Sequence, residues 1–146
     1  INTLFKRFPG IRTYMERNME FAREFGSVES VFGLKVNYPE INSRNPSMRG
    51  FLERAAFNAP IQGSAADIIR RAMVRMPKAL EAAGLKSARM LLQVHDELIF
   101  EAAAEETDKV IAVARDVMEN ASLPAVQLAV PIKVDAKAAD NWEAAH

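Results

Sequence analysis

Three observations predict an α+β fold built on an antiparallel sheet with helices packed on one face. First, Met90-Leu91-Leu92-Gln93-Val94 and Leu98-Ile99-Phe100 are almost purely apolar runs that flank the ionisable triplet His95-Asp96-Glu97, as the strands of a tight hairpin would. Second, apolar residues at helical spacing fill the first 25 residues and a long stretch after residue 45. Third, the resulting order, α, ββ, αα, ββ, α, β, mixes hairpins with helices. No Gly-rich phosphate loop is present, so neither a P-loop nor a doubly wound nucleotide-binding sheet is predicted.

In chain order, Leu4, Phe5, Phe8, Ile11, Met15, Met19 and Phe21 recur at helical spacing. Pro9-Gly10 divides them into two helical pieces, and Gly26 is placed as a C-cap. Val28, Val31, Phe32 and Val36 around Gly33 predict a small β-hairpin ending before Tyr38-Pro39. Asn45 as N-cap and Pro46 at the first helical position open the next helix, with a buried stripe of Met48, Phe51, Leu52 and Ala55. Pro60 is expected to interrupt it. A second, longer helix then carries Ile61, Ala65, Ile68, Ile69, Ala72, Met73 and Met76 on one face, with Arg70, Arg71 and Arg75 off its centre. Pro77 lies late in that stretch and Gly84 marks its stop. After the acidic hairpin, residues 105–120 read as an acidic amphipathic helix on Val110, Ile111, Val113, Ala114, Val117 and Met118. Residues 126–135 read as a final strand, with Pro131 pointing to an edge position or a bulge.

At 146 residues, 49% hydrophobic and 26% charged, the chain is the size of one ordinary domain and can bury a core. It has no cysteine, which excludes disulfides and thiolate zinc sites and is compatible with a cytoplasmic location. No apolar run approaches the roughly 20 residues of a membrane helix, so no membrane partner is expected. The opening Ile1-Asn2-Thr3, beginning mid-pattern, suggests a piece of a larger protein. Net charge is zero, but residues 1–89 carry 15 Lys+Arg against 8 Asp+Glu, and residues 90–146 carry 4 against 11. A basic half joined to an acidic half suits a polyanion-binding surface beside a metal-binding carboxylate site; self-complementary packing is the blander account.

Two constellations carry possible chemistry. Charge beside an apolar hairpin is costly unless paired, and a divalent cation carrying phosphate oxygens is one partner for Asp96 and Glu97. Adjacent side chains diverge, so Asp96 is expected to bind metal directly with Glu97 in support. The plain alternative is a polar triplet closing a turn. A two-metal site needs a further carboxylate; Asp67 is a candidate but reads better as a helix-surface or packing residue. Arg54, Asn58 and Gln62, spaced by four, would follow one side of a continuous helix. Such donors could probe the minor-groove acceptors common to every base pair. Alternatively, Asn58 caps the helix that Pro60 opens, and Arg54 and Gln62 are ordinary surface residues.

The run Glu53-Arg54-Ala55-Ala56-Phe57-Asn58-Ala59-Pro60-Ile61-Gln62-Gly63-Ser64-Ala65-Ala66-Asp67-Ile68-Ile69 resembles a hallmark segment of family A DNA polymerases of the bacterial DNA polymerase I type. Gln93-Val94-His95-Asp96-Glu97-Leu98-Ile99-Phe100-Glu101 resembles that family's third polymerase motif, motif C. Arg7-Phe8-Pro9-Gly10, Tyr14-Met15 and Asn141-Trp142 fit as well, so the resemblance covers essentially the whole chain.

The resemblance implies that residues 1–146 are the C-terminal portion of a polymerase domain: mainly a palm-type sheet, with the adjoining end of the fingers. It implies that Asp96 is a catalytic, metal-ligating carboxylate, that Glu97 is its less essential neighbour, and that His95 lies near the primer terminus. Arg54, Asn58 and Gln62 would contact primer-template DNA. The implied reaction joins a deoxynucleoside triphosphate to a primer 3′-hydroxyl with two Mg²⁺ ions. A further carboxylate and the triphosphate-gripping fingers helix belong to segments upstream of Ile1, so the isolated fragment is expected to be inactive. Gly33-Leu34-Lys35 departs from the family's usual Gly-Arg-Arg, and Lys137 and Ala139 stand where glycines are common. A non-catalytic nucleic-acid-binding module is the alternative; a metal-dependent nuclease would need more acidic residues around the hairpin.

Overall fold

The computed structural model describes residues 2–145. The elements are α1 (Asn2–Arg7), α2 (Pro9–Phe25), β1 (Ser27–Glu29), β2 (Lys35–Asn37), α3 (Pro46–Ala82), β3 (Arg89–Val94), β4 (Glu97–Glu101), α4 (Thr107–Glu119) and α5 (Trp142–Ala145). A 3₁₀ turn, Ala104–Glu106, leads into α4. The α+β class holds, with two small antiparallel sheets, β1-β2 and β3-β4, among the described residues. The chain divides into two compact units, one ending at Ala66 and the other starting at Asp67.

In the first unit, Pro9 opens α2 where its missing N–H costs nothing. Gly26 closes it with φ 64° in the left-handed region, its N–H donating to the Ala22 carbonyl at 2.8 Å. β1 and β2 then pair with Val28 opposite Val36, turning through Gly33. Asn45 caps α3: its Oδ1 accepts from the Ser47 and Met48 amides at 3.0 and 3.4 Å. Ala22, Val28, Ile41 and Ala56 form the buried centre, surrounded by Met19, Val36, Tyr38, Leu52 and Ala59.

In the second unit, α3 ends in a Schellman motif. The Leu85 amide donates to the Leu80 carbonyl and the Gly84 amide to that of Glu81, with Gly84 at φ 73°. The hydrophobic contact that accompanies the motif is present, since Leu80 and Leu85 share one core with Met76, Val110 and Ala114. That core backs Met90, Leu98 and Phe100 of the β3-β4 hairpin, so the helices cover one face of it. Arg71 and Arg75 donate to the carbonyls of Asn120, Ala121 and Leu123, tying α3 to the C-terminal end of α4.

Four expectations are corrected. Pro60 does not interrupt the helix: α3 runs unbroken through it. Proline cannot donate to the Ala56 carbonyl, but Asn18 Nδ2 on α2 does so instead at 2.7 Å, and the Tyr14 hydroxyl donates to the next carbonyl, Phe57, at 3.2 Å. At this turn the freed acceptor is served from outside the helix.

Second, the apolar stripes are only partly covered. Leu4, Phe8, Ile11, Phe21, Met48, Phe51 and Ile61 remain exposed, because each unit's core has few packing partners to offer. Third, β3 is not buried on both faces: Leu91 and Leu92 are each 52% exposed, since a two-stranded ribbon covered on one side leaves the other open. A register shift between Met90 and Leu92 leaves Leu91 unpaired as a bulge. Fourth, residues 126–135 form no strand. The segment is held beside α4 instead, where Arg115 Nε donates to the Val134 carbonyl at 3.1 Å and Glu119 Oε1 accepts from the Val134 amide at 3.0 Å.

Candidate active site

The second unit presents its carboxylates on the β3-β4 turn. Val94 pairs with Glu97, which leaves His95 and Asp96 as a two-residue loop. His95 has φ 52°, the one positive value at a non-glycine among the described residues, at the first central position of the turn. Holding an L-residue there costs about 1–2 kcal/mol. Gln93 Nε2 donates to the His95 carbonyl across the bend and helps to hold it.

Asp96 is exposed at the tip, while Glu97 is already the first residue of β4. Among the described residues no three His, Cys, Asp or Glu side chains gather as a metal-holding group, and Asp67, half-buried on α3, does not complete one. The donor set suits part of a magnesium site, because Mg²⁺ is commonly bound by one or two carboxylates with substrate phosphates and water supplying the rest.

The first unit presents the other constellation. Arg54, Asn58 and Gln62 occupy successive turns of α3 and are all exposed. Arg54 lies back along its helix, with Nη1 3.5 Å from where a β-carbon on Gly50 would stand. Asn58 is not an N-cap, because no helix starts at Pro60. The polar row and the acidic turn belong to different units.

Sequence reading missed the residues that hold the row. Asn18 on α2 supplies the donor that Pro60 lacks, Tyr14 one turn earlier adds a hydrogen bond to the next carbonyl, and the Tyr14 ring packs on Phe57 with centroids 5.5 Å apart. One turn later, Ser64 Oγ donates to the Pro60 carbonyl at 2.5 Å and accepts from the Val31 amide at 3.0 Å. The available signal was chemical: a proline retained inside a helix calls for a donor from elsewhere.

Burial raises the Tyr14 hydroxyl above its ordinary pKa of 10.0, and that of Tyr38 likewise. A raised pKa means that the folded state holds the proton more tightly than the unfolded one. The resulting stability is complete below pH 10 and is lost as pH climbs through the folded value. Unfolding midpoints should therefore fall on alkaline titration, and Tyr14→Phe and Tyr38→Phe should each flatten part of that fall. Denaturant titrations at stepped pH check this.

A model of DNA polymerase family A matches residues 1–144; the chain belongs to that family. Its relatives are more particular. The DNA polymerase I of Rhizobium leguminosarum is 58% identical over 147 residues, covering 100% of this chain and 14% of the relative. The DNA polymerase I of Lactococcus lactis subsp. lactis (strain IL1403) is 47% identical over 142 residues, covering 97% of the chain and 16% of the relative. The chain thus spans about a seventh of the length of these curated relatives. Among solved structures, the POL domain of Pol1 from M. smegmatis, in complex with DNA primer-template and dNTP, superposes with a TM-score of 0.81 at 44% identity. That match covers 88% of this chain and 22% of the other. No helix among the described residues is long and apolar enough to cross a membrane.

Proposed function

We propose that the chain is the C-terminal portion of a polymerase domain, palm with the adjoining end of the fingers, in a DNA-directed DNA polymerase. The observation that carries this reading is the exposed Asp96 carboxylate at the tip of an apolar hairpin, in a chain matched to DNA polymerase family A over residues 1–144. The primer 3′-hydroxyl attacks the α-phosphate of a deoxynucleoside triphosphate, the new phosphodiester forms, and pyrophosphate leaves. A cytoplasmic location follows, since such an enzyme works where its template is.

Asp96, with Glu97 in support, would hold Mg²⁺ together with a further carboxylate from outside this chain. Two such ions, when bound, favour ionisation of the attacking hydroxyl and offset charge on the leaving pyrophosphate. The apolar strands on either side keep Asp96 at a fixed point, and Gln93 restrains the turn through the His95 carbonyl. His95 would border the primer terminus. Arg54, Asn58 and Gln62 would donate to minor-groove acceptors shared by all base pairs, sensing pair geometry without reading sequence.

Primer extension tests this directly. The full-length protein should extend a primer on a template when given Mg²⁺ and deoxynucleoside triphosphates, whereas the isolated 146-residue chain should make no product. Robust synthesis by the isolated chain would overturn the assignment of essential groups to the rest of the protein. No synthesis by the full-length protein would overturn the polymerase reading itself.

A further inference from the structure

The row Arg54, Asn58 and Gln62 straddles Pro60, one of two interior prolines of α3 (the other is Pro77) and a turn where the helix cannot make its own bond to the Ala56 carbonyl. An interior proline frees the carbonyl four residues before it and is a point where a helix can bend, so a neighbour that bonds the carbonyls at that turn can set the helix's direction. Here that is α2. Asn18 Nδ2 reaches the carbonyl of fully buried Ala56 at 2.7 Å, and the Tyr14 hydroxyl reaches that of Phe57 at 3.2 Å. Spaced four apart, the two donors share one face of α2 and meet consecutive carbonyls of α3. The following turn is pinned separately through Ser64, between the Pro60 carbonyl and the Val31 amide.

From this arrangement we infer that Tyr14 and Asn18 are positioning residues for the DNA-contacting row. They fix the phase of α3 across its proline, so that Arg54 before it and Gln62 after it address the same groove of the duplex. The inference rests on the proposed DNA-contacting role of Arg54, Asn58 and Gln62. Small displacements of a positioned group are expensive where geometry is being sensed, which is why a contact remote from DNA would govern DNA affinity.

The experiment uses the full-length protein and a fluorescent primer-template duplex. Asn18→Leu keeps the branching at Cγ, with somewhat greater bulk, but leaves the Ala56 carbonyl without its donor. It should raise the Kd and the KM for primer-template about tenfold, the scale set by one unsatisfied buried acceptor, with kcat at saturating DNA nearly unchanged. Pro60→Ala restores an N–H to that carbonyl, and in its background Asn18→Leu should change Kd less than about twofold, within ordinary additivity. If Asn18→Leu does not fold, Tyr14→Phe, which removes only a hydroxyl, carries the test with an expected rise of about threefold.

A purely structural role would lower the unfolding temperature and leave the Kd of the folded protein alone. Unchanged Kd in these variants, with weakened binding in Gln62→Ala, would overturn the positioning role while sparing the DNA-contacting row. If alanine at Arg54, Asn58 and Gln62 together leaves Kd unchanged, the row's assignment fails and the positioning role falls with it.

Discussion

Asp96→Asn in the full-length protein is expected to lower kcat for primer extension by on the order of 10³-fold, about 4 kcal/mol of transition-state stabilisation. Affinity for primer-template should change little. Asparagine preserves the shape of the loop residue, so the two-residue turn between Val94 and Glu97 can keep its form. What disappears is a negative charge at an exposed tip, and the proposed divalent ion, held by few protein carboxylates, would depend on each of them. Equal falls in kcat and kcat/KM would mark an interaction made chiefly in the transition state. Glu97→Gln should cost less, about tenfold, because Glu97 belongs to the strand and its proposed part is to support Asp96. Steady-state extension with saturating nucleotide decides the matter; near wild-type turnover in Asp96→Asn would remove this carboxylate from the chemistry.

The second large effect is on stability. Met76 is fully buried beside Leu80, Leu85, Val110 and Ala114, so Met76→Ala removes methylenes and sulfur from a packed site and leaves a cavity. The expected loss is about 3 kcal/mol. Met76→Leu, which nearly conserves volume, should cost less than about 1.5 kcal/mol. The same cluster backs Met90, Leu98 and Phe100, so the damage should reach the inner face of the hairpin that bears Asp96. Denaturant unfolding reads the energy, and hydrogen exchange at β3 and β4 amides reads its spread. A loss under about 1 kcal/mol would mean that neighbouring side chains collapse into the gap.

Local punctuation was the most legible part of the fold. Asn45-Pro46, Gly26 and Gly84 each act through their own backbone chemistry, and each does what that chemistry dictates in the structure. Pro60 was misread because the same reasoning stops at the helix, whereas the donor to its freed carbonyl lies about forty residues earlier, at Asn18. Apolar spacing located the helices but did not tell which residues would be covered: Leu52 and Ala56 turn inward while Phe51 stays out. Residues 126–135 have the composition of a strand, but pairing needs a neighbour, and the segment bonds to α4 instead. At the candidate site, the hairpin was legible from run lengths. The positive φ of His95 and the brace from Gln93 were not, because both depend on turn geometry.

A two-stranded ribbon has bare rims on both sides, and β3-β4 carries half-exposed leucines beside one of them. Such ribbons are marginal in water and invite another extended segment to zip alongside. In the lone chain, self-association along this hairpin is therefore expected to grow with concentration, and a lysine in place of Leu91 or Leu92 is expected to reduce it, as light scattering would read.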